Sequence, residues 1–382
     1  MPASPLPALW SSDALVLLSL LLLTLFSLKL LPVREIYDLV NPRPSSSESS
    51  TPFSVHHAVA SYSQYHRLST QELGRMRSSY TRLLTRQQKR IAYDMGYTKK
   101  LNRYAEVIDL NAQFMTKVCS FVETLYGIPP SPSSSAGDLT RVRESLRHLV
   151  RDWSAEGTHE RQTTFAPILS ALSLPRGSSV LVPGAGLSRL AYELARRGYA
   201  VTACELSAYQ NLLFKLMCEC DREGQYEICP YAHWWSHSRA TADLFRSVKV
   251  PDVVPRLSSL SFSLVEGDFL GLPSEPTYDA IVTLFFIDTS TNLLSTLARI
   301  HALLKPGGTW INLGPLLWTP GQQAAMECSL DEVIWAAESA GFDFSVQAGG
   351  AKTRTVECEY TADPRAMMRW VYRAEFWLAR KV

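Results

Sequence analysis

The sequence predicts an α/β chain: a Rossmann-like sheet of seven strands with a helical extension before it and a transmembrane anchor at the N-terminus. Three observations predict this. The first is the run Val180-Leu181-Val182-Pro183-Gly184-Ala185-Gly186, followed 19 residues after Gly186 by Glu205. The second is the order of further strand-like runs down the chain. The third is an almost unbroken apolar stretch from Ala14 to Val33.

The glycine run reads as a buried strand and a turn, then a helix over 187–197 and a second strand over 199–204. Gly184 and Gly186 let the backbone approach a ligand closely, and an acid at the tip of the next strand accepts hydrogen bonds from ribose hydroxyls. A dinucleotide fingerprint needs a third glycine, yet Arg189 stands there, and no Gly-Lys-Ser/Thr follows for a phosphate loop. A nucleoside ligand without a phosphate group to cradle remains, and later segments favour S-adenosyl-L-methionine (AdoMet). A strand over 262–267 ends in Gly267-Asp268-Phe269, an acid suited to the adenine amino group with an aromatic beside it. The apolar run over 280–287 includes Leu284 and ends at Asp288, at the carboxyl edge where open α/β sheets bind ligands. Asp268 as a turn former and Asp288 as a helix N-cap are the plain alternatives. Lys305-Pro306-Gly307-Gly308 joins a helix end to a strand over 309–313, as in the sheets of AdoMet-dependent methyltransferases.

At 382 residues and 46% hydrophobic content, the chain can bury a sizeable core as one main domain with additions. A net charge of +2 gives no reason to expect nucleic acid as a partner. The seven cysteines lack a C-x-x-C pair, so they read as reduced thiols. His233 and His237 have i, i+4 spacing but no third ligand, so no metal site is expected.

Residues 1–13 read as a short tail and 14–33 as a single-pass anchor, just long enough to span if Lys29 snorkels. Lys29, Arg34 and Arg43 lie at or after its end, which would place the catalytic part in the cytosol, with the endoplasmic reticulum as the expected membrane. A cytosolic protein is the alternative. Residues 41–54 are a disordered linker by composition. Residues 55–127 carry an amphipathic helix in which Leu68, Met76, Leu83, Leu84 and Ile91 form the apolar stripe. The methyltransferase domain runs over 139–382, with an insertion at 219–261 whose Tyr231, His233, Trp234 and Trp235 suggest either a substrate wall or a structural cap.

Taken together, Val150-Arg151-Asp152-Trp153, the glycine turn, Gly267-Asp268-Phe269, Phe285-Phe286-Ile287-Asp288-Thr289 and Trp310-Ile311-Asn312-Leu313-Gly314-Pro315-Leu316-Leu317 resemble the carnosine N-methyltransferase family (N2227-like proteins). The likeness runs from about His56 onward. It implies an AdoMet-dependent enzyme that methylates an imidazole nitrogen of a histidine-containing dipeptide. It gives Arg151 to the methionine carboxylate, Gly184 and Gly186 to the cofactor turn, Glu205 to the ribose, and Asp268 with Phe269 to the adenine. His148 stands where the family has glutamine, and Leu284 joins the cofactor set. Asp288 would lie beside the sulfonium and the substrate as the catalytic group. On the substrate side, His233 matches a family histidine, Thr319 replaces one, and Trp370 with Tyr372 stands where the family has two tyrosines. A membrane-tethered, non-catalytic AdoMet-binding protein and a methyltransferase of another amine or of a protein histidine are the rival readings. A homodimer is left open.

Overall fold

The computed structural model describes residues 52–129, 137–318, 324–345 and 351–382. Three helices lead: α1 (Val55–Leu83), α2 (Arg86–Asp94) and α3 (Tyr97–Tyr126). Ser54 caps α1 by accepting from the His57 N–H at 3.3 Å. Thr85 and Gln88 cap α2 reciprocally, and Gly96 and Gly127 bound α3 in the left-handed conformation. One helix was expected here, and three form because the capping box and Gly96 break the run. The buried stripe also differs. Ala58, Tyr62, Tyr65 and Leu73 face the core, whereas Leu83 at the end of α1 and Ile91 of α2, a helix that buries none of its residues, lie in solvent.

The next helices are α4 (Leu139–Trp153) and α5 (Thr158–Ala171), followed by alternating strands and helices: β1 (Ser179–Pro183), α6 (Arg189–Arg196), β2 (Ala200–Glu205) and α7 (Ala208–Cys218). The segment after α7 carries a two-stranded antiparallel ribbon, β3 (Tyr226–Ile228) and β4 (Val248–Val250), with a one-turn helix α8 (Thr241–Leu244) between them. Then come β5 (Phe262–Glu266), β6 (Tyr278–Leu284), α9 (Leu293–Leu303), β7 (Leu304–Gly314), α10 (Leu330–Ser339), β8 (Phe342–Asp343), β9 (Arg354–Cys358) and β10 (Tyr372–Lys381).

The main sheet runs β5-β2-β1-β6-β7-β10-β8, with β9 also pairing β10. The first five strands are parallel, and β10 is antiparallel to β7, β8 and β9. Val180, Leu181 and Val182 of β1 and Ala280, Ile281 and Val282 of β6 are almost fully buried, as strands covered on both faces require. The order reverses between β1 and β6. That switch point opens a crevice at the carboxyl ends of the strands.

Three expectations are corrected. The sheet has eight strands and is mixed, not seven. Arg354–Cys358 carries too little apolar alternation to read as a strand, and its pairing with β10 makes it one. Among the described residues no helix is long and apolar enough to cross a membrane, so the transmembrane part of the predicted class is withdrawn, and residues 14–33 lie outside the described residues. Finally, β6 stops at Leu284, three residues short of the expected end, because Phe285 turns to φ +51°.

The N-terminal helices and the sheet belong to one compact unit, Pro52–Val382. Leu101, Phe114 and Val118 share a core with Leu146 and Trp153 of α4 and Phe214 of α7. Buried polar ties fix the register: Tyr62 Oη donates to the Tyr209 carbonyl at 2.9 Å, and the Asn111 side chain bonds both backbone groups of Cys229. Each satisfies groups that would otherwise be stranded in the core. Through these contacts α1 and α3 hold α4, the helix that carries His148 and Arg151, against the sheet.

Candidate active site at the strand ends

The turn after β1 sets the site. Gly184 and Gly186 have φ of +61° and +55°, which disfavours any residue with a Cβ. A Cβ on Gly184 would sit 2.4 Å from Phe286 Cδ2, so this glycine admits a ring against the turn. The Gly186 N–H donates to Glu205 Oε2 and the Ser207 N–H to Oε1, both at 2.8 Å. Glu205 is thereby fixed at the end of β2 with lone pairs to spare for hydroxyl donors. Burial raises its pKa, opposed by those N–H donors.

Arg151 leaves the last turn of α4 toward the same point. Its Nε and one Nη each bond Asp152 at 2.8 Å, and the guanidinium lies 4.7 Å from the Tyr360 ring centre. His148, one turn earlier, is gripped at both ring nitrogens. Gln210 Nε2 approaches Nδ1 at 3.0 Å, and Nε2 meets Tyr360 Oη at 3.1 Å. With the amide donating, the ring carries its proton on Nε2. Burial, helped by the Arg151 charge, lowers its pKa to about 3, so it is neutral at physiological pH.

Arg189, where a dinucleotide site would have glycine, lines the crevice but spends its guanidinium on the protein. It donates to the Asp152 carbonyl and to Asp252, both at 2.7 Å, and stacks at 4.7 Å on Trp153. The third-glycine position is thus used to tie α4 to the insertion.

A cavity of about 780 Å³ occupies the crevice. His148, Arg151, Gly184, Gly186 and Glu205 line one side, and Asp268, Phe269 and Leu284 another. All eight residues assigned to the cofactor from sequence therefore face one volume. Asp268 also caps a short 3-10 turn by accepting from the Leu270 N–H at 2.9 Å, the plain turn-forming alternative. Phe269 meets Phe286 edge-on at 5.6 Å.

The substrate-side residues are more scattered. Asp288 does not line this cavity. It is 6% exposed, beyond Phe285 and Phe286, and its Oδ2 accepts from the Leu317 N–H at 3.0 Å. Burial raises its pKa to about 6. It lies near Tyr372, whose hydroxyl pKa is raised by burial and then by the Asp288 charge. Tyr372 touches Phe285 at 5.6 Å and Trp370 at 6.4 Å between ring centres. Trp370 lines a second, smaller cavity, and Thr319 lies outside the described residues. His233 faces neither cavity, and burial with the nearby Arg143 and Arg147 lowers its pKa to about 3. The insertion's tryptophans divide. Trp235 packs on Tyr97, Tyr104 and Phe245, while Trp234 lines the second cavity.

Tyr360 and Glu160 were not found from sequence. Tyr360 joins His148, Arg151 and Phe285, whose ring centre is 4.7 Å away. Glu160 of α5 accepts from the Thr361 N–H at 2.8 Å and the Ala362 N–H at 3.3 Å, which holds that loop over the cavity. Their partners are some 200 residues apart in the chain, and no local spacing signals such a pair.

Residues 131–382 match the family model for carnosine N-methyltransferase. The chain belongs to the carnosine N-methyltransferase family. The carnosine N-methyltransferase of Schizosaccharomyces pombe is 34% identical over 270 residues, covering 63% of this chain and 71% of that protein. The rat carnosine N-methyltransferase is 34% identical over 265 residues, covering 65% and 64%. Among solved structures, a putative methyltransferase bound to the Haloferax volcanii Trm112 activator aligns at 15% identity with a TM-score of 0.40, covering 63% of this chain and 97% of that one. At those values it adds nothing to the strand order already described.

Proposed function

We propose that this chain transfers a methyl group from AdoMet to an imidazole nitrogen of a histidine-containing dipeptide, carnosine first among them. Family membership and the convergence of eight side chains and turn residues on one cavity at the switch point carry the reading. The residues fit the cofactor. Glu205 would take the ribose hydroxyls, Arg151 the methionine carboxylate, and Asp268 with Phe269 the adenine, while Gly184 and Gly186 leave room for it. Bound there, AdoMet supplies an electrophilic methyl on a sulfonium.

The protein's own task is to bring a neutral imidazole to that methyl and exclude water, and such positioning is worth about 7–11 kcal/mol in favourable cases. Imidazole, with a free pKa of about 6.5, needs no strong base for attack. Asp288 accepts a hydrogen bond from the non-reacting ring N–H, selects the tautomer and stabilises the cation as it forms. The ring then releases that proton to solvent. Phe285 is a non-glycine residue at φ +51°, a conformation costing about 1–3 kcal/mol that is retained where function needs the turn. This turn swings Asp288 off the strand line toward Tyr372.

The test is to incubate the full chain with labelled AdoMet and carnosine, alongside free histidine and a peptide pool, and to identify products by mass spectrometry. Carnosine gains one methyl on the ring. AdoMet binding with no methylated carnosine would refute the substrate assignment.

A further inference from the structure

Beside the main cavity lies a second one of about 220 Å³, separated from it by Glu359 and Tyr360, which line both. Tyr231, Trp234, Met368 and Trp370 give it an apolar and aromatic wall. Two arginines line it, Arg369 and Arg147, the latter on α4 one turn before Arg151, together with the carboxylates Glu359 and Asp363. The other arginines of that helix all have carboxylates: Arg141 pairs with Asp138 at 3.1 Å, Arg143 with Glu72, and Arg151 with Asp152. Arg246 and Arg369 nearby are also paired, with Asp363 and Glu359. Arg147 has none among the described residues. Its guanidinium faces the Trp234 ring at 5.5 Å, and its Nε is buried with no hydrogen-bond partner. The residue is half-buried and Glu144, three residues earlier, feels its charge, but the enclosed Nε itself lacks an acceptor that a bound carboxylate would supply.

The geometry points to this second cavity as the subsite for the carboxylate of the peptide substrate, with Arg147 as its binding group. Trp370 connects the two regions: it walls the subsite and touches Tyr372, which stands next to Asp288. A dipeptide with its ring between Tyr372 and Asp288 can therefore direct its α-carboxylate past Trp370 to Arg147. At about 220 Å³ the space suits a carboxylate and a short chain, not a second cofactor. The inference rests on the proposed dipeptide reaction and adds a specificity determinant to it.

The experiment compares carnosine with its decarboxylated analogue, β-alanylhistamine, in the full-length wild type and in Arg147→Met and Arg147→Lys. Loss of a hydrogen bond to a charged group predicts a KM for carnosine raised about 10- to 100-fold in Arg147→Met. Its kcat changes little, and its KM for β-alanylhistamine stays at the wild-type value. Arg147→Lys recovers part of the loss, and an unchanged AdoMet Kd by calorimetry shows that both variants are folded. Wild-type turnover of carnosine with no KM change in Arg147→Met, or with equal loss for both substrates, overturns the subsite while leaving the function intact. A wild type that methylates neither compound overturns the proposed reaction, and the subsite falls with it.

Discussion

Asp288→Asn separates the cost of burying a carboxylate from the catalytic role proposed for it. Its carboxyl is 6% exposed, and burial moves its pKa from the ordinary 3.8 to about 6. A rise of that size corresponds to about 3 kcal/mol, an upper bound on what the ionised form costs the fold at neutral pH. The sign follows from the direction. A carboxyl with a raised folded-state pKa favours the native state below its unfolded pKa of 3.8 and loses that advantage as pH climbs through about 6. Asparagine is neutral throughout and can still accept the Leu317 N–H. The variant should therefore be more stable than wild type by about 1–3 kcal/mol at pH 8, with about half that gain at pH 5. Turnover should fall by about 10²–10³, the size seen when one preorganised group is removed from the developing charge. Urea titrations at the two pH values, with initial rates and an AdoMet binding isotherm at pH 8, measure all three. A variant no more stable at pH 8, or one whose gain is larger at pH 5, would refute the burial argument. Equal losses of turnover and AdoMet affinity would make Asp288 a cofactor ligand instead.

Gly184→Ala must place a Cβ at φ +61° and 2.4 Å from Phe286, so it should cost about 1–3 kcal/mol in thermal or chemical unfolding and weaken AdoMet binding in the same protein. Wild-type stability in that variant would mean that the ring moves aside freely. His148 has a lowered folded-state pKa, so its contribution to stability is present above its unfolded pKa of 6.5 and is lost as pH falls toward about 3. His148→Gln keeps an amide in place of the ring and should flatten the acid side of the stability profile. An unchanged slope between pH 7 and 4 would remove His148 from the acid response.

What sequence revealed of this site follows from how local each signal is. The glycine turn, Glu205, Asp268 and Arg151 each sit within a few residues of a strand or helix end, and strand-turn-helix chemistry marks those ends in the sequence. Parallel strand order brings the glycine turn, Glu205 and Asp268 to one edge, and the packing of α4 adds Arg151 to them. Tyr360 and Glu160 could not be read this way, because the loop after β9 is aimed by hydrogen bonds to a helix far back in the chain. The displacement of Asp288 was equally hidden. It comes from one left-handed residue, Phe285, inside a run whose apolar pattern still looks like strand. Arg354–Cys358 is a strand by pairing and not by pattern, and the sheet holds one strand more than expected.

β10 is made after every strand it pairs with, yet it lies inside the sheet, between β7 on one side and β8 and β9 on the other. During synthesis, β1, β2, β5, β6 and β7 can assemble as they emerge, since domains form from the N-terminal side. Until β10 inserts, β7 presents an open hydrogen-bonding edge, and β8 and β9 have nothing to pair with. The loop bearing Tyr360 leads directly into β10, so the cavity gains that wall in the same late step. A chain that had not yet added β10 would hold most of the crevice lining but lack the wall that Tyr360 supplies. Binding of cofactor at that stage would favour closure by mass action, and any chaperone that shields strand edges would find its target at β7.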